Sequence, residues 1–303
     1  MLTYSIYGRM RILITCLNFR SLTGSEMYVL EISKQLVKRG HEVTVYSYLG
    51  DGFLAKKAKG IKCIPFGSPI DETQYDIIHA QHYSPTKYVL SKTTTIPVVC
   101  TIHSEIIEAE TPVIDDRISS YICIRPSIEK HLWDNFEIAR TKTEVIYNPI
   151  NTNEFKPIKD KDRPNRRIVL FVGTVDYLRI ETINYLIKEA KEEGHILYVV
   201  GNNDNKLLDV SNLPPNIRVH KWTENIVKYY HLATETAGIM LGRTTIEGWL
   251  TGIRGRIFDV DKNGKILSIE QANMPNELHT FDSKVVAERI EKIYNKTLQT
   301  QQK

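Results

Sequence analysis

Arg243, Thr244, Thr245 and Glu247 stand together in the stretch MLGRTTIEGWLTG, residues 240–252. Thr244 and Glu247 fit the capping box S/T-x-x-D/E, which starts a helix by giving partners to backbone N–H groups that have none along the chain. A helix start also favours anions, because the unpaired N–H groups and the positive end of the helix dipole point the same way. Arg243 lies just before that start. Thr244, Thr245 and their N–H groups can therefore meet a diphosphate, with Arg243 beside it, while Glu247 reads either as a cap or as a ligand contact. The loop NFRSLTGSE, residues 18–26, offers the same chemistry, since Gly24 lets the backbone approach a ligand at a second helix start. It has one glycine rather than G-x-G-x-x-G, which speaks against a dinucleotide and leaves a tight βα turn as its plainer reading. One metal motif is declined. DVDKNGKILSIE, residues 259–270, satisfies the EF-hand spacing, but a strand enters it and a proline follows, so residues 261–264 read as a hairpin turn.

The elements that must position these residues alternate. RILITCL reads as a buried strand, and a helix is expected from about Ser25 to Arg39, opened by Thr23 and Glu26 as a capping box. Val29, Ile32, Leu36 and Val37 form its apolar face, and Gly40 ends it. HEVTVYSY follows at once as a strand, giving a βαβ unit and hence a parallel sheet. KCIPF, YDIIHAQ, IPVVCTIH, YICI and EVIYN continue the pattern with Ile- and Val-rich strands of a sheet covered on both faces. Residues 148–167 are polar, charged and broken by proline, which places a domain boundary there: 1–150 and 151–303. The alternation then restarts with RIVLFVGTV and runs to an amphipathic helix at about 283–300, with Val285, Ile290 and Ile293 on its apolar side. In such sheets ligands bind beyond the C-terminal ends of the strands, so two facing halves would form a cleft.

Composition limits the classes. With 303 residues, 42% hydrophobic and 25% charged, the chain suits a two-core globular protein. No apolar run approaches the roughly 18 residues of a membrane-spanning helix, and MLTYSIYGRMRILIT lacks the form of a signal peptide. Cys16, Cys63, Cys100 and Cys123 lie in or beside apolar runs without C-x-x-C spacing, as small buried side chains of a reducing cytoplasm would. A net charge of +4 permits an anionic partner without requiring one.

TGSEMYVLEISKQLVKRGHEVTVYS resembles the N-terminal signature of the family-4 retaining glycosyltransferases of the GT-B fold. YDIIHAQH, TIHSE, VIYNPINTNEF, LFVGT, LYVVGNN and NIRVHKW resemble further elements of that family in the expected order, so the likeness spans nearly the whole chain from Met10. It implies two Rossmann-like α/β domains facing a central cleft, with the last helix packing back on the N-terminal domain. It also implies a nucleotide sugar, most simply a UDP-sugar, held by the C-terminal half, with the acceptor facing the N-terminal half. By position, Gly24 would touch the diphosphate or sugar and His103 the transferring sugar. Arg20, Ser21 and His82 fall on the acceptor side, and Gly173, Thr174 and Gly201 on the donor side. His79 reads as packing inward.

Two departures stand out. The family's G-R-x4-K is GTVDYLR here, with Thr174 at the Arg position and Arg179 at the Lys position, where a guanidinium can still fork two phosphate oxygens. Of the family's E-x7-E, Glu247 matches the second Glu, while Ile239 occupies the first and the loop is cut to GRTT. His103, Arg179 and Arg243 are the expected catalytic residues. The expected reaction moves a sugar to an acceptor hydroxyl with retention and without a metal or other cofactor. The short loop and the GTVDYLR variant are similar to phage-encoded enzymes that glycosylate hydroxymethylated pyrimidines, which makes double-stranded DNA an expected partner and the host cytoplasm its place. Synthesis of surface polysaccharide or lipid-linked glycan is the alternative acceptor class. A GT-B sugar-nucleotide epimerase and a non-catalytic sugar-nucleotide-binding module are alternatives from other classes.

Overall fold

The computed structural model describes residues 8–20, 23–48, 53–106 and 110–301. Residues 1–149 and 282–303 form one compact unit, and Ile150–Phe281 form a second. The first is built on strands β1 (Arg11–Cys16), β2 (Glu42–Ser47), β3 (Lys62–Pro65), β4 (Ile77–Gln81), β5 (Val98–Ile102), β6 (Ile118–Cys123) and β7 (Thr143–Val145). They pair in the order β3-β2-β1-β4-β5-β6-β7, all parallel. Helices α1 (Gly24–Lys38), α2 (Phe53–Lys57), α3 (Tyr83–Lys92) and α4 (Pro126–Phe136) supply crossovers. β1, β4 and β5 are near-continuous apolar runs because both faces of a parallel sheet are covered.

α1 follows the expected pattern closely. Its N-cap is Thr23, although neither Thr23 nor Glu26 makes the reciprocal side-chain bonds of a capping box. Val29, Ile32 and Leu36 are buried on its apolar face, and Gly40 follows with φ +97°.

The second unit holds β8 (Ile168–Val172), β9 (Ile196–Val200), β10 (Ile217–His220), β11 (Glu235–Ile239), β12 (Arg254–Val260) and β13 (Ile266–Ala272). Their order is β10-β9-β8-β11-β12-β13, parallel except for the antiparallel β12–β13 pair. Helices α5 (Ile180–Glu193), α6 (Val227–Leu232) and α7 (Arg243–Leu250) accompany them. The EF-hand-like stretch is indeed a hairpin: Asp261 Oδ1 accepts from the N–H groups of Asn263 and Lys265 at 2.8 and 2.9 Å, and Gly264 takes φ +80°.

The last helix, α8 (Ser283–Gln301), belongs to the first unit, where it packs on α1, β5 and β6. Val286, Ala287, Ile290, Ile293 and Tyr294 are its buried apolar residues, while Val285, expected on that side, is only partly buried. Glu291 is fully buried, accepting from Arg39 Nε at 2.6 Å and pairing with His41 Nε2 at 3.0 Å. Deeper in, the Tyr294 hydroxyl lies 2.6 Å from His79 Nδ1, and His79 Nε2 lies 2.6 Å from Thr101 Oγ1. His79 is thus an interior polar bridge between helix and sheet, and burial pushes its pKa down to about 3.

Candidate functional site

In the second unit the strand order reverses at β8, which is flanked by β9 and β11. The loops leaving the C-terminal ends of these three strands are where an open α/β sheet takes its ligand. They carry Gly173 and Thr174, Gly201, and Gly242 to Thr245. A Cβ on Gly201 would lie 1.8 Å from the Gly173 carbonyl oxygen, so two backbones touch there and only glycine fits. Val175 N–H donates to Asn202 O at 2.8 Å and fastens the same two loops. Arg179 caps the start of α5, pairs with Asp176, and lays its side chain within 3.3 Å of where a Gly173 Cβ would be. Gly173, Thr174, Arg179 and Gly201 are therefore one cluster. Asp176, which the sequence reading passed over, holds the guanidinium at its edge.

The helix expected to begin at Thr244 begins one residue earlier. Gly242 is the N-cap of α7, and no side chain caps it. Thr244 instead donates its hydroxyl to Val172 O at 3.2 Å, binding the helix start to the end of β8. Thr245 is buried, facing Gly238 and Gly255, so its side chain packs rather than points outward. A Cβ on Gly242 would meet no atom within 4 Å, and its φ of −127° suits any residue. Nothing in the packing asks for glycine at that position, whereas a ligand approaching the helix start would.

Glu247 does not act as a cap. Its Oε1 lies 2.5 Å from Arg243 Nε, and its Oε2 accepts from the Tyr230 hydroxyl at 2.5 Å. Burial raises its pKa against the opposing pull of Arg243 and Tyr230. Burial and the adjacent carboxylate also push the Tyr230 hydroxyl well above its ordinary range. The result is a triad, with Glu247 and Tyr230 buried and Arg243 partly buried, that fixes where Arg243 leaves the helix. Tyr230 gave no sequence signal, because it lies in an aromatic pair on a separate short helix. Ile239 ends β11, in line with the missing first Glu of the E-x7-E pattern.

The first unit repeats the logic. Its switch point lies between β1 and β4, and the loop after β1 leads into Gly24 at the start of α1. A Cβ on Gly24 would also meet nothing within 4 Å. Arg20 is exposed on that loop, and Ser21 lies outside the described residues. His82 follows β4 and His103 follows β5, and the two rings stack with centroids 5.3 Å apart and planes 20° from parallel. Gln81 Oε1 lies 2.7 Å from His103 Nε2, and Tyr28 meets the His103 ring edge-on at 5.1 Å. Burial pulls His82 down to about 4, and burial, with the neighbouring His82 and His79 rings and the Arg125 charge, takes His103 well below its ordinary range. Both rings are neutral at neutral pH and act as hydrogen-bonding groups rather than cations. His82 is held at φ +60°, a left-handed conformation rare for a non-glycine residue. Around the pair stand Glu110 and the Arg125–Glu105 ion pair. Sequence reasoning missed these residues, which lie in loops without periodicity. Among the described residues no group of three or more His, Cys, Asp or Glu side chains could hold a metal ion, and no helix is long and apolar enough to cross a membrane.

Comparison with known proteins bears on the same elements. Residues 22–154 match the family described as Glycosyltransferase Family 4. Spore coat protein SA of Bacillus subtilis (strain 168) is 24% identical over 187 residues, which are 52% of this chain and 49% of that protein. The chain therefore spans about half the length of this curated relative. Among solved structures, a glycosyltransferase from Rickettsia africae ESF-5 superposes with a TM-score of 0.69 at 16% identity, covering 96% of this chain and 99% of that one. An alpha-glucosyltransferase in complex with UDP-glucose and DNA containing an abasic site gives a TM-score of 0.58 at 13% identity, covering 97% and 94%. By sequence the chain is similar to Glycosyltransferase Family 4 over residues 22–154, and by structure its two parallel α/β units have the fold of the GT-B glycosyltransferases.

Proposed function

We propose that this protein is a retaining glycosyltransferase that takes a sugar from a UDP-sugar and places it on an acceptor hydroxyl. The observation that carries the reading is the convergence of three loops at the β8 switch point. There the starts of α5 and α7 carry Arg179 and Arg243, and α7 opens on a glycine N-cap at the end of the helix that favours anions. That arrangement suits a diphosphate. In the transfer, the bond from the anomeric carbon to the diphosphate oxygen breaks and one to the acceptor oxygen forms, while the acceptor proton passes to the departing diphosphate. Negative charge grows on the leaving group, so catalysis rests on cations and N–H groups already in place. His103, neutral and fixed by Gln81 and Tyr28, would hydrogen-bond the transferring sugar, Gly24 would let its loop touch the diphosphate or sugar, and Arg20 and His82 would serve the acceptor side. No metal or other cofactor enters this scheme.

For the acceptor, the reading favours a hydroxymethylated pyrimidine in duplex DNA, supported by the compact GRTT helix entrance and by the likeness to a glucosyltransferase solved with UDP-glucose and DNA. Radiolabelled nucleotide sugars offered with hydroxymethylated DNA, plain DNA and lipid extract test both levels. Label is expected in hydroxymethylated DNA, from a UDP-sugar, with the anomeric configuration kept. Label in lipid alone would replace the acceptor class, and an intact donor in every mixture would end the enzymatic reading.

A further inference from the structure

Glu110 is a carboxylic acid taken almost entirely out of water, with 4% of its surface exposed, in a part of the first unit where no strand or helix requires it. Its Oε2 accepts from the His103 N–H at 2.6 Å and from the Ser104 N–H at 3.0 Å. The His82 N–H adds to the same pull on the carboxylate. The two hydrogen-bonded donors belong to the turn that ends β5. One carboxylate therefore fixes the turn that carries the His103 ring, which stacks on His82 in the neighbouring turn after β4, where His82 sits at φ +60°. Its other oxygen, Oε1, is buried with no hydrogen-bond partner among the described residues. A buried, half-satisfied carboxyl is costly, and packing alone would favour an apolar side chain there.

We infer that Glu110 is the positioning residue of the His82–His103 pair, clamping the end of β5 so that the His103 ring, stacked on His82, meets the donor sugar in one orientation. This rests on the role given to His103 in the proposed transfer. The clamp has its own pH dependence. Burial pushes Glu110 up to about 7, against the N–H groups of His103, Ser104 and His82 and the charge of Arg125. The groups facing it are the Cys100 thiol on β5, which burial keeps protonated, the two neutral rings, and Arg125, itself paired with Glu105. Protonation takes charge from the acceptor of several N–H bonds and loosens the tie, so the clamp is tight above about pH 7 and slack below it.

The test reads the rings directly. In the full chain, the imidazole C–H resonances of His82 and His103 are followed by NMR from pH 5.5 to 8.5, with assignment through His82→Gln and His103→Gln. Both are expected to shift together with a midpoint near 7, where neither ring titrates, and to stay flat in Glu110→Gln. The same variant should lose the acid limb of the transfer rate and drop kcat by up to about 10²-fold, the scale of a small misplacement at a reacting centre, with KM nearly unchanged. Absence of the midpoint in the wild type, or its survival in Glu110→Gln, overturns the clamp. The wild-type titration decides the matter even if the variant folds poorly. A clean titration in a protein that transfers no sugar would instead leave the clamp standing and remove the transferase reading.

Discussion

Arg243 and Glu247 are joined by a bond of 2.5 Å within one turn of α7, and removing either partner has a different consequence. Glu247→Ala leaves the Arg243 guanidinium partly buried without its carboxylate and the Tyr230 hydroxyl without its acceptor. A loss of about 3 kcal/mol in unfolding free energy is expected by denaturant titration. Tyr230→Phe removes one hydrogen bond and should cost about 1 kcal/mol by the same measurement. Arg179→Ala acts elsewhere. Its guanidinium pairs only at the edge of the cluster, so stability should change little while kcat falls by about 10²-fold in a UDP-sugar transfer assay. Unchanged kcat in Arg179→Ala would remove it from the diphosphate site. Of the two readings of Glu247, the cap is set aside, since its carboxylate is turned to Arg243 and Tyr230 and no side chain caps α7.

At the scale of elements, α8 is held on its sheet by a buried acid and a buried imidazole. Glu291→Ala strands Arg39 and His41 together, and a cost of about 3–5 kcal/mol is expected. His79 sets a pH dependence. Its folded pKa lies near 3, below the ordinary value of 6.5, so between those values the unfolded chain binds the extra proton. Stability therefore falls as pH drops from 6.5 towards 3, and His79→Gln should flatten that part of the curve. Glu110 works in the opposite sense, since its raised pKa favours the folded state as pH falls from 7 towards 4.5. The elements themselves were largely legible. RILITCL and HEVTVYSY read as strands because a doubly covered sheet needs unbroken apolar runs, and α1 showed its face through Val29, Ile32 and Leu36. The start of α7 was not, because T-x-x-E is satisfied by spacing alone, while the chain used Gly242 as the cap and turned Glu247 inward. Glu110 and Gln81 were invisible for a related reason: their partners are a backbone turn and a ring brought close only by the sheet.

For the whole molecule, chemistry and stability are separable. In the second unit a network of Arg256, Arg167, Glu189 and Glu235 gathers where β8, β11 and β12 begin, at the opposite ends of the strands from the candidate site. Arg256→Ala breaks its bidentate pair with Glu189, at 2.6 and 2.7 Å, and should lower the melting temperature while the activity of the remaining folded protein stays at the wild-type level. The order of the chain has a consequence of another kind. Because the first unit resumes at Asp282, the second is an insertion within it, and a ribosome must finish all of Ile150–Phe281 before α8 exists. At common elongation speeds the seat of Val286, Ile290 and Tyr294 stays uncovered for roughly ten seconds of every synthesis. The newborn chain thus passes through an interval with one finished half and one half still waiting for its last helix, and in that interval chaperones and proteases have their best opportunity.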